Sequence, residues 1–199
     1  MSNIPEGARK LLVDVAEVMR LAYERGLINV LGGNASIRWG NGFWITPSQV
    51  PKNKLRVDDF VYVDMTEGPR PNSLGRKPSM EWRMHRGIYA ALSDVKAILH
   101  THNPRTVALY SLGLTIRPND YVEAYSIGDC VSVVPKLPAG SEDLAVSVTE
   151  ALVKCRIAVL LGHGVVVATN NIYRALDAAE ALEDIATIEL FRNLLRRRF

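Results

Sequence analysis

Leu11, Val15, Val18, Met19 and Ala22 fall three or four residues apart between Pro5 and Gly26, the spacing of a helix with one buried face. Gly26 suits the left-handed position that follows a helix. From Val30 to Val63 the pattern shortens to two-residue alternation. Ala35 to Trp39 and Gly42 to Thr46 predict a hairpin across Gly40-Asn41, and Phe60 to Val63 a third strand. Met80, Met84, Ile88 and Ala91 return to helical spacing behind Ser79, a residue type favoured as an N-cap, which puts Glu81 in the first turn. The apolar runs Val95 to His102 and Val131 to Val134 read as buried strands. Leu144, Val148 and Leu152 mark a helix starting near Ser141. Two further strands, Ala158 to Leu161 and Val165 to Val167, flank Gly162-His163-Gly164, and a last helix runs from about Ile172 to Leu195.

This alternation predicts one α/β sandwich, a mixed sheet covered by helices, and the hairpin signals argue against an all-parallel arrangement. No repeat, low-complexity tract or linker divides the 199 residues, enough for a full core, so residues 1–199 are expected to form one domain.

The formal charge of +3 is spread among acids, which argues against a nucleic-acid footprint; Arg196-Arg197-Arg198 reads as a basic last helical turn. Cys130 and Cys155 stand far apart in no metal-binding spacing, so thiols in a reducing compartment are expected and no disulfide framework. The N-terminus lacks a signal-peptide pattern. The most apolar segment, Ile157 to Ala168, is interrupted by His163 and too short to span a bilayer, so a cytoplasmic protein without a membrane partner is expected.

Two of the four histidines, His100 and His102, lie in the stretch Ile98 to Asn103. At positions i and i+2 of a strand their imidazoles share one face, about 7 Å apart along the backbone, which lets them share a metal ion. A lone histidine is ordinarily a satisfied core or surface residue. Here His163, flanked by glycines that allow a sharp turn and close approach, is available as a third, and three histidines with an open position are the pattern of a catalytic metal site. Glu81 near a helix start reads either as a dipole-complementing acid or as a general base beside the metal. His85, one turn on, reads as a supporting residue. Gly32-Gly33-Asn34-Ala35-Ser36 can form an anion-binding nest, with the hydroxyls of Thr46, Ser48 and Ser79 joining it, although such turns mostly just reverse the chain.

Taken in order, Gly33-Asn34-Ala35-Ser36-Ile37-Arg38, Ile45-Thr46-Pro47, Lys77-Pro78-Ser79 to Glu81-Trp82-Arg83, His100-Thr101-His102 and Gly162-His163-Gly164 resemble the class II aldolase/adducin family, in particular its L-fuculose-1-phosphate aldolase-like members. The resemblance covers nearly the whole chain. It implies a three-layer α/β/α sandwich with a mainly antiparallel central sheet and one Zn2+ ion held by His100, His102 and His163. Glu81 would be the acid/base residue, and Gly33, Asn34, Thr46, Ser48 and Ser79 would bind a sugar or sugar-phosphate substrate. It also implies a homotetramer with sites between subunits, Tyr121 being the position that aligns with a catalytic tyrosine from the neighbouring subunit. The implied reaction is reversible aldol cleavage of a small ketose or ketose 1-phosphate. A pentulose-phosphate 4-epimerase, a sugar-phosphate dehydratase or decarboxylase, and a non-catalytic adducin-like domain are the alternatives. Leu31, Gln49 and Met80 depart from the usual threonine, glycine and serine of the phosphate site. The end at Phe199 implies that a closing tail of longer relatives is absent.

Overall fold

The computed structural model describes residues 4–70 and 72–196, leaving Arg197, Arg198 and Phe199 of the basic end outside the described residues. The elements are α1 (Glu6–Glu24), β1 (Asn34–Trp39), β2 (Gly42–Ile45), β3 (Val61–Asp64), β4 (Gly68–Pro69), α2 (Trp82–Ala91), β5 (Ala97–Thr101), α3 (Pro104–Ser111), α4 (Ala124–Ile127), β6 (Ser132–Val134), α5 (Glu142–Lys154), β7 (Ile157–Leu160), β8 (Gly164–Thr169) and α6 (Ile172–Arg196). The strands form a single mixed sheet in the order β4-β3-β2-β1-β5-β8-β7-β6. Among the described residues only β6 and β7 run parallel; the other pairs are antiparallel.

Alternation along the strands divides the buried side chains into two clusters. Ala35, Ile37, Ala97, Leu99, Val165 and Val167 pack with residues of α1, α3 and α6. Ile98, Val166 and Ala168, the residues between, pack with Phe43, Ile45 and the buried faces of α2 and α5. His100 is two residues beyond Ile98 and opposite Asn34, so this register turns both toward the α2 side of the sheet.

Several elements differ from expectation, and β4 and α4 are additions to it. In α1, Ala8 and Leu12 are buried while Leu11 is 41% exposed, because the core-facing stripe is rotated by one residue from the one that Leu11 would start. Helix α2 begins at Trp82, with Glu81 at its N-cap position, although Ser79 Oγ does accept a hydrogen bond from Glu81 N (3.3 Å). Helix α3 follows Asn103 with Pro104 at its first position, where a missing N–H costs nothing. The cysteines are not free thiols: Cys130 and Cys155 form a disulfide with their Cα atoms 5.6 Å apart. The parallel pairing of Ser132 with Ala158 brings the residues ahead of both strands together across a gap of 25 in sequence.

The junction after β5 is held from α6. Thr101 Oγ1 donates to Asn103 Oδ1, Asn103 Nδ2 donates to Ala179 O (2.7 Å), and buried Glu183 accepts from the backbone N–H groups of Arg105 and Thr106 (2.9 and 3.0 Å) and the Thr106 hydroxyl (2.8 Å). A carboxylate from another helix thus satisfies the free N–H groups at the start of α3. Glu183→Ala is therefore expected to destabilise the protein by about 2 kcal/mol or more, since it removes a cap and leaves buried donors unpaired. Urea unfolding of the two proteins measures it; equal midpoints and slopes would show that this cap carries no stability.

Candidate metal centre and active site

His100 lies on β5, His163 in the turn between β7 and β8, and His102 just past β5, its N–H donating to Leu27 O (2.8 Å). Glycines make the approach possible. Gly162 has φ of 68°, in the left-handed region. A Cβ on Gly164 would stand 2.1 Å from Thr101 O and 3.1 Å from the His100 ring, and one on Gly32 would stand 2.9 Å from His102 Nδ1. The ligand-capable nitrogens of His100, His102 and His163 consequently lie within 4.8 Å of one another.

Their lone pairs are as important as their spacing. His100 Nδ1 donates to Val165 O (2.9 Å), so in the neutral ring Nε2 carries the lone pair. That nitrogen faces His163 Nε2 at 3.3 Å and Glu81 Oε2 at 3.3 Å. The other carboxylate oxygen, Oε1, is 3.5 Å from His163 Nε2 and, although buried, has no hydrogen-bond partner. A proton on His163 Nε2 answers only one of these acceptors at a time; a cation answers them all. Burial lowers the pKa of His102 to about 4 and depresses that of His163, so both rings are neutral and able to ligate near pH 7. The donor set therefore fits a divalent metal ion.

A chain of buried hydrogen bonds fixes Glu81 from behind. Asn34 Nδ2 donates to Glu81 Oε2 (2.9 Å), so Asn34 Oδ1 accepts from His85 Nε2 (2.6 Å). His85 Nδ1 then accepts from the Ser36 hydroxyl (2.6 Å), which accepts from Tyr89 OH (2.9 Å). With His85 neutral, each group in the chain has one consistent direction. Burial also opposes ionisation of Glu81, but the charge that His100 and His163 carry when protonated, together with the Asn34 amide, outweighs it and lowers its pKa from the usual carboxylate value.

The expected substrate residues divide. Gly33, Asn34, Ser48, Ser79 and Glu81 line one cavity of about 210 Å³ with His102 and His163, and Leu31, Gln49 and Met80 form part of its wall. Thr46 does not reach it: the side chain is fully buried and Oγ1 accepts from Ala35 N (3.2 Å), tying the hairpin together. Tyr121 is also outside this cavity; its hydroxyl donates to Glu189 Oε1 and accepts from Arg192 (3.0 Å), both on α6. Lys52, which the sequence pattern does not single out, is 2% exposed and lines the cavity. No periodicity could have flagged it, because it sits in an isolated single turn.

Residues 13–190 match the model of the family described as class II aldolase and adducin N-terminal domain. The chain belongs to that family. It is 30% identical over 183 residues to the L-fuculose phosphate aldolase of Escherichia coli strain K12, covering 92% of this chain and 82% of that protein. It is 32% identical over 179 residues to the 5-methylthioribulose-1-phosphate/5-deoxyribulose-1-phosphate aldolase of Rhodospirillum rubrum, covering 88% and 76%. Its fold superposes on the crystal structure of L-fuculose-1-phosphate aldolase from Thermus thermophilus with a TM-score of 0.83 at 29% identity, covering 94% of this chain and 96% of that one. This member of the class II aldolase family is thus fuculose-phosphate aldolase-like.

Full burial pushes the His85 pKa from 6.5 down to about 3, against the opposing pull of Glu81. Between those values the unfolded chain binds a proton at this residue and the native chain does not, so native stability falls as pH is lowered, by roughly 1.4 kcal/mol per pH unit from this group. In metal-free protein, His85→Gln is expected to make the loss of stability between pH 6 and 4 shallower by up to that amount. Parallel pH profiles from urea unfolding would contradict a neutral, buried His85.

Proposed function

We propose that this chain is a metal-dependent lyase that carries out reversible aldol cleavage of a small ketose or ketose 1-phosphate. The observation that carries the reading is the convergence of three histidines on a buried carboxylate with an unpaired oxygen. His100, His102 and His163 would hold the metal, with Zn2+ favoured by the all-imidazole set. A divalent ion so bound supplies a Lewis acid for the carbonyl and adjacent hydroxyl oxygens of the substrate.

The residues then take distinct tasks. In the condensation direction Glu81, ionised at neutral pH, removes the proton from the carbon beside the ketone and in cleavage returns a proton to that carbon. Asn34 and the His85 chain hold its carboxylate in one orientation, so no reorganisation is required as charge moves. Gly33, Asn34, Ser48 and Ser79 contact the substrate, whereas buried Thr46 supports the hairpin. Tyr121 reaches a site only from another copy of the chain; we assign it to the aldehyde oxygen in the neighbouring subunit's site of a homotetramer. The chain works as one domain with α/β/α layering, as the two core clusters on one sheet support. Among the described residues no helix is long and apolar enough to cross a membrane.

The altered wall at Leu31, Gln49 and Met80 favours a second reading, epimerase, dehydratase or decarboxylase chemistry on the same centre, because these residues change what the cavity can hold without touching the metal set. A purely adducin-like scaffold has no use for a buried carboxylate aimed at three imidazoles.

Zinc-loaded protein is expected to exchange solvent deuterium into dihydroxyacetone phosphate or dihydroxyacetone, read by NMR, and metal-stripped protein is not. Glu81→Gln should keep the metal but slow exchange by about 10²- to 10⁴-fold, the usual contribution of a positioned acid/base. His102→Ala should lose both metal and exchange. Undiminished exchange in the metal-free protein would overturn the proposal, and absence of exchange with metal bound would turn the reading toward the second one.

A further inference from the structure

Lys52 begins a single 3-10 turn, Lys52–Lys54, and its backbone N–H donates to Val30 O (2.8 Å). Its side chain runs beneath the preceding turn, where Nζ donates to Pro47 O (3.1 Å) and Val50 O (2.9 Å). An ammonium has three N–H donors. Two are accounted for by these carbonyls, and no carboxylate pairs with Nζ among the described residues. A buried cation without a counter-charge is costly, and burial lowers the pKa of this one to about 8.

The surroundings point to what completes it. Lys52 lines the same cavity as Ser48, Ser79, Glu81 and two of the histidines. Ser79 Oγ already accepts from Glu81 N, which leaves its O–H as a donor. Met80 offers the wall no hydroxyl, while a lysine contributes a charge from below the Pro47–Val50 turn. A cavity lined by metal-capable histidines, donor hydroxyls and a lysine without a counter-charge suits a substrate whose ketone part is neutral and which also carries an oxyanion.

We propose that Lys52 binds the phosphoryl group of the substrate and makes this chain selective for a phosphorylated ketose over the free sugar. This rests on the aldolase reading for the nature of the substrate's other end. The Nζ donor left by Pro47 and Val50 goes to a phosphoryl oxygen, in a charge-assisted hydrogen bond that is stronger than a hydroxyl could give. The two backbone bonds hold the ammonium in place beforehand, so its position does not have to be found on binding.

The probe is inorganic phosphate, added to zinc-loaded, full-length protein and followed by side-chain NMR of 15N-lysine label. The Lys52 Nζ signal, identified as the one missing from K52R, is expected to shift saturably with phosphate. Lys52→Met should raise the phosphate Kd by about tenfold or more, the usual worth of one charged hydrogen bond, and Lys52→Arg should recover most of it. The KM for deuterium exchange into dihydroxyacetone phosphate should rise in parallel, and by a larger factor than the KM for dihydroxyacetone. A Lys52 signal unmoved by saturating phosphate, or wild-type phosphate affinity in Lys52→Met, would reduce Lys52 to a tie for the turn and place any bound phosphate elsewhere. If Lys52→Met fails to fold, the wild-type signal still decides. Phosphate binding needs no turnover, so an aldolase reading that fails by deuterium exchange is distinguishable from a failure of this one.

Discussion

An imidazole buried inside an eight-stranded sheet, with its only donor committed to the neighbouring strand, obliges everything near it to accommodate a lone pair. His100 is that group: Nδ1–H is given to Val165 O on β8, and Nε2 is left facing His163 and Glu81. In water such a lone pair would be solvated; here the strand pairings on both sides close it off. Desolvated acceptors pointed at one another are unfavourable unless a cation or a shared proton lies between them. The capacity of the centre to take up a cation is therefore set by a backbone hydrogen bond as much as by the histidines. A strand slipped by one residue would send His100 to the opposite face of the sheet and abolish the centre.

The polar residues on the inner face of β1 follow from the same constraint. A carboxylate beside the histidines must be held at a fixed angle, and Asn34 and Ser36, two apart on β1, reach α2 together to do so. His85 and Tyr89 answer from one face of α2, four residues apart. Four polar groups in a core are a heavy desolvation load, tolerated because each donor meets an acceptor. The chain's direction runs from the Tyr89 hydroxyl toward Glu81, so a charge change at either end is felt along its length. Rigidity here is a consequence of full satisfaction rather than of apolar packing.

Most of this fold was legible from local pattern. The hairpin at Gly40-Asn41, the buried strand holding His100, the turn at His163 and the long last helix all carry strong periodic or glycine signals, and each lies within a few residues of its expected place. The clustering of the three histidines was legible because they sit at positions with two kinds of unusual spacing, i to i+2 and a glycine on each side. What escaped depends on contacts between distant segments. Leu11 and Leu12 are both apolar, and only the packing of α1 chooses Leu12. Cys130 and Cys155 meet because two strands pair parallel, which cysteine spacing does not encode. Thr46 has the chemistry of a substrate contact, yet its hydroxyl is spent on Ala35 N. Lys52 has the chemistry of a surface residue, yet a turn folds over it.

Reactivity and selectivity are consequently carried by different kinds of structure. His100 lies on a central strand, and His102 and His163 at strand ends, with Glu81 braced by a strand and a helix; movement there would break several hydrogen bonds at once. The opposite wall is loop: Leu31, Ser48, Gln49 and Met80 belong to no strand or helix. Gln49 even adopts a φ of 57°, a conformation that costs a non-glycine residue about 1–2 kcal/mol, and the turn keeps it because Lys52 grips the carbonyls on either side. Substitution in this wall can change the size and charge of the substrate while the metal set stays intact. On the proposed reading, that separation lets three histidines and a glutamate keep their chemistry while the loops, the 47–52 turn among them, set what the cavity accepts.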